Sequence, residues 1–424
     1  MTSEVLVMNT NGLSLAADSA VTLGSGKIFS SADKLFQVHL KNPAAAMIYN
    51  AASFGLIPWE ALIKRFRDTH NKSYSKMEHL VDVFKSYLNT CSACKENSEY
   101  EKHWVYERSM RLLTSVIDPT LAEEQDQPQR EEGIDLKVLE KLSGALVEVD
   151  KLDFLEDFGV DDLKAFNLMY GSGLSEIISD WAGSLSEKLA SAITDDVIEK
   201  AIQLSGSLLC RQYIDDREFT GLVIAGYGDD EFLPIAMTFR IDGMVLGKVR
   251  LKSEQVLDIS VARQHVVETF AQSDGSQSFL FGLDEDSFKS VAKAVERGLH
   301  SIYNEILENA KSNNDEATEI LVNDLVLRKF EKSIEITSAA MNDTPPGTKL
   351  IPIIAALPKA ELADMAESLV NMTRFKRKMS TDTDTVGGPI DVAVITKSDG
   401  FVWVRRKHYF KSELNQRIIQ SYGK

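Results

Sequence analysis

The chain has 424 residues, 44% of them hydrophobic and 26% charged, which is typical of a globular protein with room for two or three domains. Its 64 acidic and 47 basic residues give a formal charge of −17, and this argues against nucleic acid as a partner because phosphate binding needs a basic surface. The sequence has no apolar run of the roughly 20 residues that span a membrane, and no secretory signal pattern at its beginning. We therefore expect a cytoplasmic protein that binds neither nucleic acid nor membrane.

Three cysteines in so long a chain predict no disulfide framework, which suits a reducing compartment. Cys91 and Cys94 have the CxxC spacing, but no second CxxC and no suitably spaced histidine pair completes a zinc site. We interpret them as structural or incidental thiols and predict no metal or cofactor. The chain also lacks a GxxxxGK[ST] phosphate loop, so it is not expected to be an ATPase itself.

The first fifty residues read as strands and turns. Val5 and Val7 alternate with other residues, as do Leu13 and Leu15, and Asn11-Gly12 between them is a strong hairpin signal. Further strands are predicted at 34–40 and 45–49, followed by a helix over 53–68, and helical periodicity then dominates residues 71–217 apart from a polar loop at 122–133.

Strands return after the helical stretch. Asp242-Gly243 is the predicted turn between strands at 233–241 and 245–251. The remaining predicted elements are strands at 219–226, 390–396 and 400–405, and helices at 279–307 and 359–378. This order favours an α+β architecture with two antiparallel sheets and helices packed outside them.

Thr2 carries a specific chemical possibility once Met1 is removed. The free α-amine, with a pKa near ~8, can accept the proton of the same residue's hydroxyl, so one residue supplies both nucleophile and base. A cation near the hydroxyl and a carboxylate holding that cation would complete such a site, and Lys34 and Asp18 are the candidates. From the residues alone, a turn-capping Asp18 and a solvated Lys34 remain the commoner interpretation.

Residues 2–66 resemble the N-terminal part of proteasome β subunits and of the HslV peptidase. The shared pattern is a mature N-terminal Thr, an Asp in an A-A-D-S motif and a Lys before an apolar pair, found here as Thr2, Asp18 and Lys34. Segments 221–243 and 386–404 resemble the central and closing strands of that family. The resemblance implies an N-terminal-nucleophile (Ntn) four-layer αββα sandwich built from residues 1–70 and 218–424, with residues 71–217 as a helical insertion.

The resemblance further implies a threonine endopeptidase. Thr2 would attack the peptide carbonyl with its α-amine as base, Lys34 would lower the pKa of the hydroxyl, and Asp18 would orient Lys34. The oxyanion would bind the N–H of Asn50 or Ala51, where the family usually has Gly. The accessory residues implied are Ser273 or Ser276 and, with no clean counterpart in the motif, Asp382 or Asp384.

The same resemblance implies a polypeptide substrate, a self-compartmentalising homo-oligomer and a separate ATP-dependent unfoldase. Two alternatives stay open. One is an Ntn amidase acting on a small amide, since one fold supports several amide chemistries. The other is a non-catalytic scaffold that keeps the core and binds a partner through its helical insertion, and a retained Met1 would favour it.

Overall fold

The computed structural model describes residues 3–22, 27–91, 98–125, 133–272, 274–281, 285–312, 332, 352–379 and 386–416. The chain forms two compact units, and each contains one five-stranded antiparallel sheet. The first unit comprises Met1–Leu35, Phe232–Pro234 and Asp258–Lys424, and the second comprises Phe36–Glu231 and Ile235–Leu257. Mixed α+β structure with two antiparallel sheets is therefore confirmed.

The described strands and helices follow the chain in this order. The strands are β1 (Ser3–Asn9), β2 (Gly12–Ala17), β3 (Val21–Thr22), β4 (Ile28–Phe29), β5 (Leu35–His39), β6 (Ala44–Asn50), β7 (Ser53–Phe54), β8 (Ile57–Pro58), β9 (Thr220–Gly226), β10 (Ile235–Val245), β11 (Lys248–Asp258), β12 (His265–Ala271), β13 (Asp391–Thr396) and β14 (Gly400–Arg405). The helices are α1 (Trp59–Thr69), α2 (Met77–Thr90), α3 (Ser98–Gln125), α4 (Ile134–Asp150), α5 (Val160–Gly183), α6 (Glu187–Ala190), α7 (Asp195–Cys210), α8 (Asp274–Phe281), α9 (Glu285–Ser312) and α10 (Lys359–Lys378).

The sheet of the first unit has the order β12-β1-β2-β13-β14. The predicted hairpin is confirmed, since β1 and β2 pair from Glu4↔Ala17 to Asn9↔Gly12. One face of the sheet is apolar and packs against α10, with Val5, Val7 and Leu362 in a shared core. Because side chains alternate along a strand, Glu4 and the other even-numbered residues of β1 lie on the opposite face.

The sheet of the second unit has the order β11-β10-β9-β6-β5. Helices α1 and α2 cover one face of it through Trp59, Phe66 and Phe84, which share a core with Ile224 and Phe239. A hydrogen bond of 2.9 Å from Trp59 Nε1 to Thr220 Oγ1 satisfies the buried indole N–H.

The helical middle of the chain has its own core. Helices α3 to α7 pack around Phe166, Tyr170 and Leu174, all buried. The helical character predicted for this region is confirmed by α2 to α7, whereas residues 71 and 217 as limits of an insertion stay a prediction.

The turn predicted at Asp242-Gly243 is wrong. Strand β10 runs through both residues, and the chain reverses at Leu246-Gly247, whose φ values of 57° and 70° are those of a type I′ hairpin turn. Asp242 is retained inside the sheet because its carboxylate accepts a 2.9 Å hydrogen bond from Nε of the buried Arg250. A polar residue pair that resembles a turn can therefore stay in a strand when a partner neutralises its charge.

Two further elements differ from the sequence expectations. The helix predicted from residue 53 begins at Trp59, because the residue before a proline is biased towards extended backbone and the small β7–β8 hairpin occupies 53–58. Strand β12, which no turn signal indicated, pairs with the whole length of β1.

The cysteines also differ from the expectation of thiols. Cys91 is disulfide-bonded, while Cys210 is a free, buried thiol. Burial raises the pKa of Cys210 to about 11, so this thiol is poorly reactive at neutral pH. Cys94 lies outside the described residues.

Candidate active site

Asp18 directly follows β2 and is bonded to the first described residue of β1. Its N–H donates to the Ser3 carbonyl over 3.2 Å, and its Oδ1 accepts the Ser3 N–H over 3.3 Å. The second bond, from a backbone N–H to a side-chain oxygen, extends the β1–β2 hairpin by one hydrogen bond. Asp18 therefore holds the beginning of β1, immediately after Thr2.

Lys34 directly precedes β5 and is 97% buried. Its Nζ lies 2.5 Å from Asp18 Oδ1 and 3.3 Å from Glu4 Oε1. The structure thus brings Asp18 and Lys34 together and adds a carboxylate. We call Glu4, Asp18 and Lys34 the buried triad.

The second oxygen of Asp18 is held by backbone donors. Oδ2 accepts the Gly387 N–H over 2.9 Å and the Ala20 N–H over 3.4 Å. Gly388 has a φ of +78°, and a Cβ there would lie 2.7 Å from the Ser30 carbonyl oxygen. A glycine is therefore required next to the donor that fixes the Asp18 carboxylate.

Glu4 is the member of the triad that the sequence interpretation missed. It is fully buried, and in the sheet register it lies between Phe270 on β12 and Ala17 on β2. The signal that was available is an acid in an apolar β1 run, on the face shared with Leu6 and Met8. A buried carboxylate needs a partner, so its position in the run indicated one.

Two other charged groups lie on this side of the first sheet. Glu268 pairs with Leu6 across β12 and β1, and burial raises the pKa of its carboxyl group. Asp391 pairs with Ala17 and binds Lys407, which also lies 3.1 Å from Asp33. The negative charge of Asp391 is therefore offset by its own cation.

Asn50, one of the two expected oxyanion donors, is the last residue of β6 in the second unit, and Ala51, the other, directly follows it. Asn50 has a φ of +71°, a left-handed conformation that Gly adopts freely and Asn tolerates better than most residues. This explains how Asn stands where the resemblance leads one to expect Gly. The Ala51 N–H donates to the Phe219 carbonyl over 3.2 Å, so Ala51 would have to release that bond to serve an oxyanion.

Ser276 is buried within α8 and is bonded to α10. Its N–H donates to Thr373 Oγ1 over 3.3 Å, and the two hydroxyl oxygens are 3.4 Å apart. It was expected in a turn and lies instead in a helix. Four of the residues considered for the site, Thr2, Ser273, Asp382 and Asp384, lie outside the described residues.

No protein-family model and no curated protein matches the sequence. Matches were found only among solved structures. Anbu proteins are among the solved structures that align with the sequence. Anbu (ancestral beta-subunit) from Yersinia bercovieri is 8% identical at a TM-score of 0.28, covering 100% of this chain and 97% of that one. Anbu from Hyphomicrobium sp. strain MC1 is 9% identical, with the same TM-score and coverage. The helical assembly of the Anbu complex from Pseudomonas aeruginosa is 10% identical at 0.28, covering 100% and 94%.

These alignments correct the family assignment made from the motifs. Membership of the proteasome β-subunit and HslV family is wrong, because no family model matches and the structures that align carry the name of a different family. A TM-score of 0.28 is too low for the Anbu likeness itself to support a fold or an activity. The geometry of the buried triad is what the functional proposal depends on.

The triad can stabilise developing negative charge through the Lys34 ammonium. Within the described ranges, no group of three or more His, Cys, Asp and Glu side chains is placed to hold a metal ion. None of the described helices has the length and apolar character of a membrane span. What the site offers is a fixed ammonium, held by two carboxylates, beside the first residue of β1.

Proposed function

We propose that this protein is an N-terminal-nucleophile hydrolase of the threonine type, cutting peptide bonds with Thr2 after Met1 is removed. The observation that carries the proposal is the buried Lys34–Asp18 ion pair, together with the two hydrogen bonds that tie Asp18 to Ser3. Unlike the buried Arg250–Asp242 pair, this pair lies at the beginning of β1, next to the residue that would carry the nucleophile.

Covalent geometry limits how far Thr2 can lie from the triad. Consecutive Cα atoms are about 3.8 Å apart, and Thr2 directly precedes Ser3. The Ser3 N–H lies 3.3 Å from Asp18 Oδ1, the same oxygen that binds Lys34. Thr2 is therefore the residue directly before the one whose N–H the Asp18 carboxylate binds.

The proposed reaction uses these groups in order. The Thr2 hydroxyl oxygen forms a bond to the peptide carbonyl carbon while its proton passes, through a water molecule, to the Thr2 α-amine. The tetrahedral intermediate collapses as the C–N bond breaks and the leaving amine takes that proton. Water then hydrolyses the acyl ester. Lys34 stabilises the developing alkoxide, and Asp18 holds Lys34 in place.

The remaining parts of the site belong to the proposal as well. Asn50, whose backbone is in the left-handed region, would offer its N–H to the oxyanion, and Ala51 is the other candidate donor. Ser276, with Ser273, would be the accessory serine. We extend the proposal to the packing of the two sheets into a four-layer αββα sandwich formed by residues 1–70 and 218–424.

We extend the proposal to a polypeptide substrate and to a cytoplasmic, self-compartmentalising homo-oligomer that is fed by a separate ATP-dependent unfoldase. Sedimentation velocity tests the assembly, and a monomer at every working concentration would contradict it. A net charge of −17 agrees with partners other than nucleic acid.

The deciding experiment is reaction with a threonine-directed covalent inhibitor, followed by peptide mapping of the adduct. We expect one adduct on Thr2, and Thr2→Ala should abolish both the adduct and peptide hydrolysis. Thr10→Ala, which alters an exposed threonine in the β1–β2 turn, is the control and should react like the unaltered protein. Undiminished hydrolysis by Thr2→Ala refutes the proposal, and intact-mass detection of a retained Met1 would favour the scaffold alternative.

A further inference from the structure

We propose that Glu4 is a positioning residue of this site, a second buried carboxylate that holds the Lys34 ammonium in place beside Asp18. The inference rests on the proposed function. It assigns a role to a residue that motif spacing did not indicate, and it separates the role of Lys34 from that of the base.

The geometry places one ammonium between two carboxylates. Nζ of Lys34 lies 2.5 Å from Asp18 and 3.3 Å from Glu4, and the side chains of both acids are fully shielded from solvent. Buried charges attract one another more strongly than exposed ones, since little water screens them. Two carboxylates therefore hold the Lys34 side chain in position more firmly than one would.

With its Nζ held between two carboxylates, Lys34 is placed to act on the reaction through its charge. In the proposed reaction the proton of the threonine hydroxyl passes to the α-amine of Thr2. The triad also carries one negative charge more than positive, and a transiently protonated α-amine within two residues of Glu4 would offset that charge.

The other charged groups near Glu4 do not duplicate its role. Glu268 lies on the same face of the sheet, opposite Leu6 and therefore two residues further along β1 than Glu4. Burial favours the neutral form of its carboxyl group by raising its pKa. Asp391 lies on the far side of Ala17 and is bound by Lys407. Asp18 accepts hydrogen bonds from three backbone N–H groups and from Lys34, whereas Glu4 forms an ion pair with the Lys34 ammonium.

Packing alone does not explain a glutamate at this position. The neighbouring residues on its face of β1, Leu6 and Met8, are apolar and fully buried. An apolar residue would fill the same space without the desolvation penalty of a buried carboxylate, which is several kcal/mol per ion. A Gln substitution keeps the shape and removes only the charge, so it isolates the electrostatic contribution.

The first test measures how well Lys34 is protected, and it does not require activity. Purified full-length protein is labelled with acetic anhydride, and the modification rate of each lysine is read by mass spectrometry. In Glu4→Gln we expect Lys34 to react about tenfold faster, because one of its two ion-pair partners loses its charge, while the other lysines keep their rates. Asp399→Asn, which removes the partner of exposed Lys359, is the control and should leave Lys34 protected.

The second test separates charge from structure by the pH dependence of inhibitor adduct formation at Thr2. Removing a negative charge close to the α-amine makes its neutral form easier to reach, so the midpoint in Glu4→Gln should move to lower pH by about one unit. A merely structural role would lower the rate evenly at every pH. Glu4→Asp, which keeps the charge but withdraws it by one methylene group, should keep the midpoint and label at an intermediate rate, and it serves if Glu4→Gln does not fold.

The outcomes distinguish this inference from the proposal on which it rests. Unchanged Lys34 labelling in Glu4→Gln and Glu4→Asp overturns the role of Glu4, whatever the activity. An unaltered protein that never forms an adduct on Thr2 overturns the peptidase proposal instead.

Discussion

The ammonium of Lys34 lies 2.5 Å from Oδ1 of Asp18, and neither side chain is more than 3% exposed. A second lysine–aspartate pair, Lys359 with Asp399, lies on the surface of the same unit, where water screens it. Exposed pairs contribute little to stability, whereas removing one partner of a buried pair leaves an uncompensated charge. The two pairs therefore allow a direct comparison within one protein.

We predict that Lys34→Met lowers the free energy of unfolding by about 3 to 5 kcal/mol, since it leaves two buried carboxylates without their shared cation. Asp18→Asn should lower it less, because Lys34 keeps its contact with Glu4. Asp399→Asn is the surface control and should leave the urea midpoint nearly unchanged. Urea unfolding followed by circular dichroism measures all three, and equal losses for Lys34→Met and Asp399→Asn would contradict a buried triad.

The segment that binds the other oxygen of Asp18 offers a matched glycine pair. A Cβ on Gly388 would meet the Ser30 carbonyl at 2.7 Å on a backbone with φ of +78°, whereas a Cβ on Gly387 would meet nothing within 4 Å. We predict that Gly388→Ala costs about 1 to 3 kcal/mol of stability and slows adduct formation at Thr2. Gly387→Ala should stay within about 0.5 kcal/mol of the unaltered protein. If the two variants behave alike, the close approach at Gly388 is not what positions the Asp18 carboxylate.

Local patterns predicted most of the elements. The alternation in β1 and β2, the Asn11-Gly12 signal and the proline before α10 depend on neighbouring residues, and the structure confirms the elements they predicted. Strand β12 has no comparable signal. It forms because β1 offers a free edge for pairing, and pairing between residues so far apart in the chain cannot be predicted from any short window of sequence.

The residues of the candidate site also divide into those that a sequence pattern indicates and those that only the folded structure reveals. Asp18 and Lys34 could be selected because their spacing resembles a known pattern, but Glu4 could not, since only the folded sheet shows that its carboxylate meets Lys34. The wrong turn prediction at Asp242 has a related cause. Asp-Gly is a genuine turn signal, but the buried Arg250 that keeps Asp242 in β10 lies in the next strand, outside the short sequence window on which the prediction depended.

Backbone conformation at Asn50 leads to a prediction about the choice of residue. With φ at +71°, most side chains are strained there, whereas Gly is not. We predict that Asn50→Ala lowers the free energy of unfolding by about 1 kcal/mol and that Asn50→Gly changes it by only a few tenths of that value. Denaturant unfolding of the two variants makes the comparison. If both variants lose the same free energy of unfolding, contacts of the Asn side chain, and not the backbone conformation, explain why Asn occupies position 50.

His39 gives the protein a predictable response to acid. The ring is fully buried at the end of β5, and its Nδ1 accepts the N–H of Asn42 over 2.9 Å and of Lys41 over 3.3 Å. Both bonds need a neutral ring with the proton on Nε2. Burial accordingly lowers the pKa of His39 below the ordinary value of 6.5.

The sign of the effect follows from proton linkage. Below about pH 6.5 the unfolded chain binds a proton at His39 before the folded protein does, so the stability present above that pH is lost as the pH falls through the lowered pKa. We predict that His39→Asn, whose side-chain oxygen can accept the same N–H groups, loses less stability between pH 7.5 and 5.5 than the unaltered protein. Burial also lowers the pKa of His265, so part of the acid sensitivity should remain. His79→Asn alters an exposed histidine and is the control, so the pH dependence of its urea midpoint should match that of the unaltered protein. If the urea midpoint depends on pH in the same way in all three proteins, His39 does not cause the loss of stability in acid.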